Sequence, residues 1–252
     1  MDEAENLQSP LIDLVCVGFG ITAISNSIAL YERCEIDNTL FLEAQPRAEW
    51  NPCPNILSER LRTSFLNDLI TSENPRSKFT FLNYLHATDR LVLYANSSQL
   101  HPSREMFIDY LKWCAGPFES HVQFGKRVTS VLPSIGADGL VNRWKVIFKD
   151  VLSGNLASVV AKQLIYATEL QPIIPDLLSD PIIRRKVLHA SESLEEIVSL
   201  VRASVREMHI GVLGEGQNAA ETFEFLQSIR GKHRVTWFSK DPILMGMDET
   251  PL

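Results

Sequence analysis

Cysteine is scarce and scattered. Cys16, Cys34, Cys53 and Cys114 form no C-x-x-C pair, which argues against a disulfide framework or a zinc site and fits reduced thiols in a cytosolic protein. Basic residues are in deficit: 24 Lys and Arg against 31 Asp and Glu leave a net charge of −7. That balance speaks against nucleic acid, whose binding rests on neutralising phosphates. No apolar run is long enough to span a bilayer. The start, Met1-Asp-Glu-Ala-Glu-Asn6, is acidic and lacks the apolar stretch of a secretory signal. Residues 1–10 therefore read as a disordered leader, and a cytoplasmic location is expected. There is no G-x-S-x-G elbow, no H-E-x-x-H site and no catalytic Cys/His pattern. Internal repetition is also lacking, with one exception: a glycine turn near the start returns late in the chain.

The first turn lies in Leu14-Val-Cys-Val-Gly-Phe-Gly20. An apolar, β-favouring run enters the glycines, and Ile21, Ile24, Ile28 and Tyr31 then repeat at helical spacing. This pattern predicts strand, tight turn and helix. Backbone N–H groups at the helix N-terminus then favour a bound phosphate. Gly18 would make the turn and Gly20 would admit a pyrophosphate, while Ala23 replaces the third glycine of G-x-G-x-x-G. The next strand, Thr39-Leu-Phe-Leu42, ends at Glu43, the spacing at which an acidic residue meets a ribose hydroxyl. The plainer reading is an ordinary βαβ turn with an exposed glutamate.

The second turn is Gly214-Glu-Gly216, between the strand His209-Ile-Gly-Val-Leu213 and a helix opening at Gln217-Asn-Ala-Ala-Glu221. Ala219, Phe223 and Leu226 are its expected buried positions. The strand Arg234-Val-Thr-Trp-Phe238 leads to Ser239 and Lys240, and a basic residue there suits the 2′-phosphate of NADP(H). Between the two units, Phe107, Tyr110, Leu111 and Cys114 mark one face of an amphipathic helix that begins near Arg104. Val122 to Phe148 reads as paired strands, with Val128 and Val131 in one element and a loop at Pro133–Asn142. A further hairpin turns at Ser153-Gly-Asn155. Ser193-Leu-Glu-Glu196 reads as a capping box for a helix with Leu194, Ile197, Val198 and Val201 inside.

Several runs, in order and spacing, resemble a known family. They are Ser64-Phe-Leu-Asn-Asp-Leu69, Pro75-Arg-Ser77, Phe79-Thr-Phe-Leu-Asn-Tyr-Leu-His86, Pro102-Ser-Arg104 and Asp109-Tyr-Leu-Lys-Trp-Cys114, followed by Gly214-Glu-Gly-Gln-Asn-Ala-Ala-Glu221. The chain is similar to the N-hydroxylating amino-acid monooxygenases, in particular the fungal L-ornithine N-monooxygenases of siderophore synthesis. The resemblance runs from Asp13 to Leu252. It implies an α/β fold in which a Rossmann-like FAD-binding portion, residues 11–203, receives an inserted, incomplete NADPH-binding Rossmann-like portion, residues 204–252. It also implies that NADPH and FAD bring an oxygen atom of O2 to the δ-amine of L-ornithine or a similar primary amine. The flavin then carries the chemistry, and no side-chain nucleophile is needed.

Carried over residue by residue, the resemblance assigns Gly18, Gly20, Glu43, Gln45, Trp50, Asn51, Arg62, Arg104 and Val128 to FAD. Gly214, Glu215, Gly216, Gln217, Asn218 and Lys240 go to NADPH. Asn67 goes to the substrate, where it replaces a lysine that holds the carboxylate. Asn51 replaces a histidine and Arg62 a glutamine. Glu169 replaces the glycine of an Ala-Thr-Gly crossing, and Glu215 puts a carboxylate into the pyrophosphate turn. Asp248-Glu-Thr-Pro-Leu252 matches the start of the family's substrate loop, so a cut-short gene product or a short relative is expected. Poor hydroxylation by the chain as given is expected with it. The alternatives are a catalytically impaired dinucleotide-binding remnant and a flavin monooxygenase with a changed substrate. A homo-oligomer is compatible with the sequence.

Overall fold

The computed structural model describes residues 11–48, 60–61, 63–168, 173–189 and 195–240. The chain divides into two compact units, Met1–Trp50 with Arg60–Glu169, and Asn51–Glu59 with Leu170–Leu252. The first unit opens with β1 (Leu11–Val17), α1 (Ile21–Glu32) and β2 (Thr39–Leu42). Three helices follow: α2 (Phe81–Ala87), α3 (Leu91–Asn96) and α4 (Arg104–Ala115). A 3-10 turn leads into β3 (Val122–Gln123), β4 (Lys126–Ile135), β5 (Val141–Asp150) and β6 (Leu156–Tyr166).

These strands form a six-stranded sheet in the order β3-β2-β1-β6-β5-β4. β1 is central and pairs in parallel with β2 on one side and β6 on the other. A strand flanked and covered in this way is apolar on both faces, which explains the unbroken run Leu14-Val-Cys-Val17. Cys16 faces one cluster with Phe19, Ile24, Ile28, Phe41, Phe81 and Tyr110, while Val15 faces another with Leu42, Val146, Phe148 and Ala161. β6 joins two kinds of pairing, parallel to β1 and antiparallel to β5.

The amphipathic face foreseen for α4 is buried as expected at Phe107, Tyr110, Leu111 and Cys114. Ser103 caps this helix, its hydroxyl accepting from the Met106 N–H at 3.1 Å. Tyr110 is fully buried, and its hydroxyl donates to the Phe79 carbonyl at 2.9 Å while accepting from the Leu69 N–H at 3.3 Å. Both roles of the hydroxyl are filled, so its ring burial stabilises without an orphaned polar group.

Pro133 differs from the sequence reading, which placed it in a loop. It lies within β4 opposite Trp144, and the turn shrinks to Gly136–Leu140, closed by the Gly136 N–H donating to the Leu140 carbonyl. β4 is an edge strand, where a residue without an N–H costs no ladder bond.

The second unit contains a 3-10 turn (Asp176–Leu178), α5 (Pro181–Arg184), α6 (Glu195–Ala203), β7 (Met208–Leu213), α7 (Gln217–Ser228) and β8 (His233–Phe238). β7 and β8 pair in parallel. Val212, Ala219 and Leu226 are buried between α7 and the strands, with Ile197, Phe223 and Trp237 packed against them. Val201 of α6 is buried, and a Cβ added at Gly231 would come within 2.6 Å of its Cγ1. The capping box at Ser193 and the residue Leu194 lie outside the described residues.

Candidate functional site

The first glycine turn is built by β1 delivering the chain into α1. Gly18 has φ +95°, a conformation that disfavours side chains, and a Cβ there would stand 2.6 Å from the Ala167 carbonyl oxygen. Its N–H donates to the Leu42 carbonyl at 2.8 Å, so the turn is tied to the end of β2. Gly20 is different. It is the N-cap of α1 at φ −85°, no side chain caps the helix, and the first turn holds no acidic residue. A Cβ on Gly20 would meet nothing within 4 Å. Gly18 therefore serves the fold, while Gly20 leaves open space over unsatisfied helix N–H groups.

Glu43 lies where β2 ends, and it is not a free surface carboxylate. One of its oxygens accepts the Phe19 N–H at 2.7 Å and the other the Gln45 N–H at 2.7 Å. The glutamate thus staples the glycine turn to the strand end, 24 residues away in sequence. Gln45 and Glu43 are held in turn by the start of β4: Gly125 N–H donates to the Gln45 carbonyl and Lys126 N–H to the Glu43 carbonyl. Val128 follows on that strand, half-buried and paired with Phe148. Gly18, Gly20, Glu43, Gln45 and Val128 accordingly belong to one region at the ends of β1, β2 and β4.

A cleft beside this turn is bordered by Phe19, Gly20, Ile24, Ile108 and Lys112. Lys112, an exposed residue in the last turn of α4, borders this cleft and was not singled out by the sequence reading. Arg104 opens α4 one turn before Ile108 and is half-buried. Asn67 is exposed on a turn closed by its N–H donating to the Ser64 carbonyl, and it does not border the cleft. Its neighbour Asp68 was also missed. Asp68 accepts from the Ile70, Thr71 and Phe81 N–H groups and from the Thr71 hydroxyl, at 2.6–2.9 Å. The signal was the Asp-x-x-Thr spacing of a side chain that bonds nearby backbone. Trp50, Asn51, Arg62 and Glu169 lie outside the described residues.

In the second unit Gly214 has φ +143°, and Gly216 is the N-cap of α7 with open space where a Cβ would stand. The Gly214 N–H donates to the Phe238 carbonyl at 3.1 Å, and the Trp237 indole N–H donates to the Gly214 carbonyl at 2.7 Å. Gln217 and Asn218 open α7 directly after Gly216. The Glu215 carboxylate reaches the end of β8, where it accepts the Lys240 N–H at 2.8 Å. Each unit thus presents an uncapped helix N-terminus beside a carboxylate at a strand end, an arrangement suited to a pyrophosphate and a ribose.

Two cysteines of the first unit are too deeply buried to serve as thiolates. Burial pushes the Cys16 thiol up to about 12, and it also raises the Cys114 thiol, so both stay protonated. No group of metal-ligating side chains is found among the described residues. No helix among them is long and apolar enough to cross a membrane.

Comparison with known proteins gives a consistent result. The family model for L-lysine 6-monooxygenase/L-ornithine 5-monooxygenase matches residues 10–252. The chain is 38% identical over 240 residues to the L-ornithine N(5)-monooxygenase of Ajellomyces capsulatus, covering 95% of this chain and 50% of that protein. Among solved structures it is similar to the ornithine hydroxylase PvdA from Pseudomonas aeruginosa, with a TM-score of 0.81 at 32% identity, covering 96% of this chain and 58% of that one. It is also similar to the Kutzneria ornithine N-hydroxylase KtzI, solved with reduced FAD, NADP+ and L-ornithine. There the TM-score is 0.79 at 29% identity, over 96% of this chain and 56% of that one. The chain spans about half the length of the curated relatives it matches.

Proposed function

The chain belongs to the L-lysine 6-monooxygenase/L-ornithine 5-monooxygenase family, and from that premise we propose that it serves FAD- and NADPH-dependent N-hydroxylation of L-ornithine or a similar primary amine. The setting is siderophore or related secondary-metabolite synthesis in the cytoplasm, with O2 as co-substrate and no nucleic-acid partner. We assign residues 11–203 to the flavin portion and 204–252 to a partial NADPH portion, with α6 of the former packing inside the second compact unit. The observation that carries this reading is the open space at Gly20 over the uncapped α1 N-terminus, beside the Glu43 carboxylate. The residues present fit the group.

The α1 N–H groups would take the FAD pyrophosphate, with Lys112 adding a cation at the cleft. Glu43, already bonded to Phe19 and Gln45, retains lone pairs for ribose hydroxyls. FAD held there would supply the redox chemistry, with NADPH as the two-electron reductant, one oxygen atom of O2 going to the amine nitrogen and the other to water. Gly216 and the start of α7 would hold the NADPH pyrophosphate, and Asn67 would donate an amide hydrogen bond to the substrate carboxylate. Orientation of the amine by such contacts governs the rate of transfer.

A second reading, dinucleotide binding with impaired hydroxylation or with a changed amine, is favoured by two particulars. Asn67 offers no positive charge to a carboxylate. Glu215 already occupies the Lys240 N–H. The deciding experiment measures NADPH loss, peroxide and hydroxylamine in parallel on FAD-loaded protein, with and without ornithine. Hydroxylamine formed in step with NADPH oxidation supports the first reading, and peroxide alone supports the second. Protein that takes up no flavin contradicts both.

A further inference from the structure

The two glycine turns are equivalent in register. Val17 stands opposite Leu42 in the first unit, and Leu213 opposite Phe238 in the second. In each, the first glycine N–H donates to the last residue of the second strand. Phe19 and Glu215 therefore hold the same turn position, and Glu43 and Ser239 the same strand-end position. The first unit sends a carboxylate from the strand end to the turn, where Glu43 accepts the Phe19 N–H. The second sends a carboxylate from the turn to the strand end, where Glu215 accepts the Lys240 N–H. Both units end with one carboxylate bridging the same two pieces of backbone, supplied from opposite sides.

We propose that Glu215 is the ribose-reading carboxylate of the second turn, and that it removes most of the preference for a 2′-phosphate, so the chain takes NADH as well as NADPH. The inference rests on the reading of that turn as the nicotinamide-dinucleotide site. A 2′-hydroxyl can donate to a carboxylate, as it does at strand-end acidic residues in NAD sites. A 2′-phosphate meets like charge there instead, and the Lys240 N–H that would receive one of its oxygens is already bonded. The Lys240 side chain attracts the phosphate with one unit of charge, and Glu215 opposes it with one. Ser239 at the strand end contributes no charge to either side.

The test is calorimetric titration of the full chain, saturated with FAD so that the first turn is filled, using NADP+ and NAD+ as probes. Wild-type affinities for the two should agree within about threefold. Glu215→Ser should move the ratio about tenfold toward NADP+, the scale of removing one partly screened charge, and added salt should shrink that shift. Glu215→Gln should move it in the same direction, because it loses the charge and keeps an acceptor for Lys240. Lys240→Ala should move it toward NAD+. A wild-type preference for NADP+ that both Glu215 variants leave unchanged would overturn the proposal. Binding of neither probe by any of these proteins, with FAD still bound, would overturn the nicotinamide site itself.

Discussion

Alanine at Gly18 and alanine at Gly20 should have opposite consequences, although the two residues are neighbours in one turn. At Gly18 the backbone sits at φ +95°, where an L side chain is strained by about 1–3 kcal/mol. The new methyl would also stand 2.6 Å from the Ala167 carbonyl oxygen and 3.2 Å from its carbon. Backbone must move there, and Ala167 is tied to β1 by its N–H donating to the Val17 carbonyl at 2.9 Å. Overpacking of this kind adds about 1–3 kcal/mol. Gly18→Ala should thus destabilise the first unit by roughly 2–6 kcal/mol, summing strain and overpacking. At Gly20 φ is −85° and the methyl meets nothing. Alanine is a poorer N-cap than glycine by a few tenths to about 1 kcal/mol, and a less flexible unfolded chain returns about the same. Gly20→Ala should leave stability within about 0.5 kcal/mol of wild type on that balance. It should nevertheless weaken FAD binding at least about tenfold, because the methyl takes the space a pyrophosphate needs. Urea unfolding and FAD titration of both variants read these effects separately. If Gly20→Ala binds FAD as tightly as wild type, the open space is not the phosphate seat and the reasoning fails.

Other perturbations test other parts of the site. Glu43→Gln should cost about 1–3 kcal/mol in urea unfolding, since the single amide oxygen keeps one of the two bonds, now neutral, and the amide NH2 faces the other backbone N–H; it should weaken FAD binding in parallel. Asn67→Lys should raise kcat/KM for ornithine about fivefold, the scale of one exposed charge-assisted hydrogen bond, and raise the hydroxylamine formed per NADPH oxidised, because the amine is better oriented. The Lys126 ammonium and the Ser153 backbone and hydroxyl groups hold the Asp150 carboxyl well below the usual carboxylate range. The stability this pair contributes should be complete above about pH 4 and fade as pH falls below it, and Asp150→Asn should flatten that acid limb in pH-dependent unfolding. In native protein at neutral pH, iodoacetamide should spare buried Cys16 and Cys114 and modify exposed Cys34, as peptide mass mapping would show.

Local rules carried the sequence reading a long way. The β1-α1-β2 unit, the buried face of α4 and the β7-α7-β8 unit all follow from periodicity within a dozen residues, and each appears where that periodicity puts it. Gly18 and Gly20 were recognisable because a turn between strand and helix needs glycine for stated reasons. Their division of labour was not, since it depends on Ala167, nearly 150 residues onward. The same holds for Glu215: its charge was visible, but its bond to Lys240 spans 25 residues and leaves no periodic trace. The Trp237 indole on the Gly214 carbonyl and the double pairing of β6 are tertiary facts of the same kind. Pro133 reads as the start of a loop that carries two glycines, and only the position of β4 at the sheet edge makes a proline harmless within the strand.

Flavin stoichiometry at the first turn tests the central claim most directly. The chain is reconstituted with excess FAD, desalted, and its flavin absorbance compared with its protein concentration. The account predicts one FAD per chain in wild type and a marked loss in Gly20→Ala, with both proteins folded by urea unfolding. Folded wild-type protein that retains no FAD would contradict it.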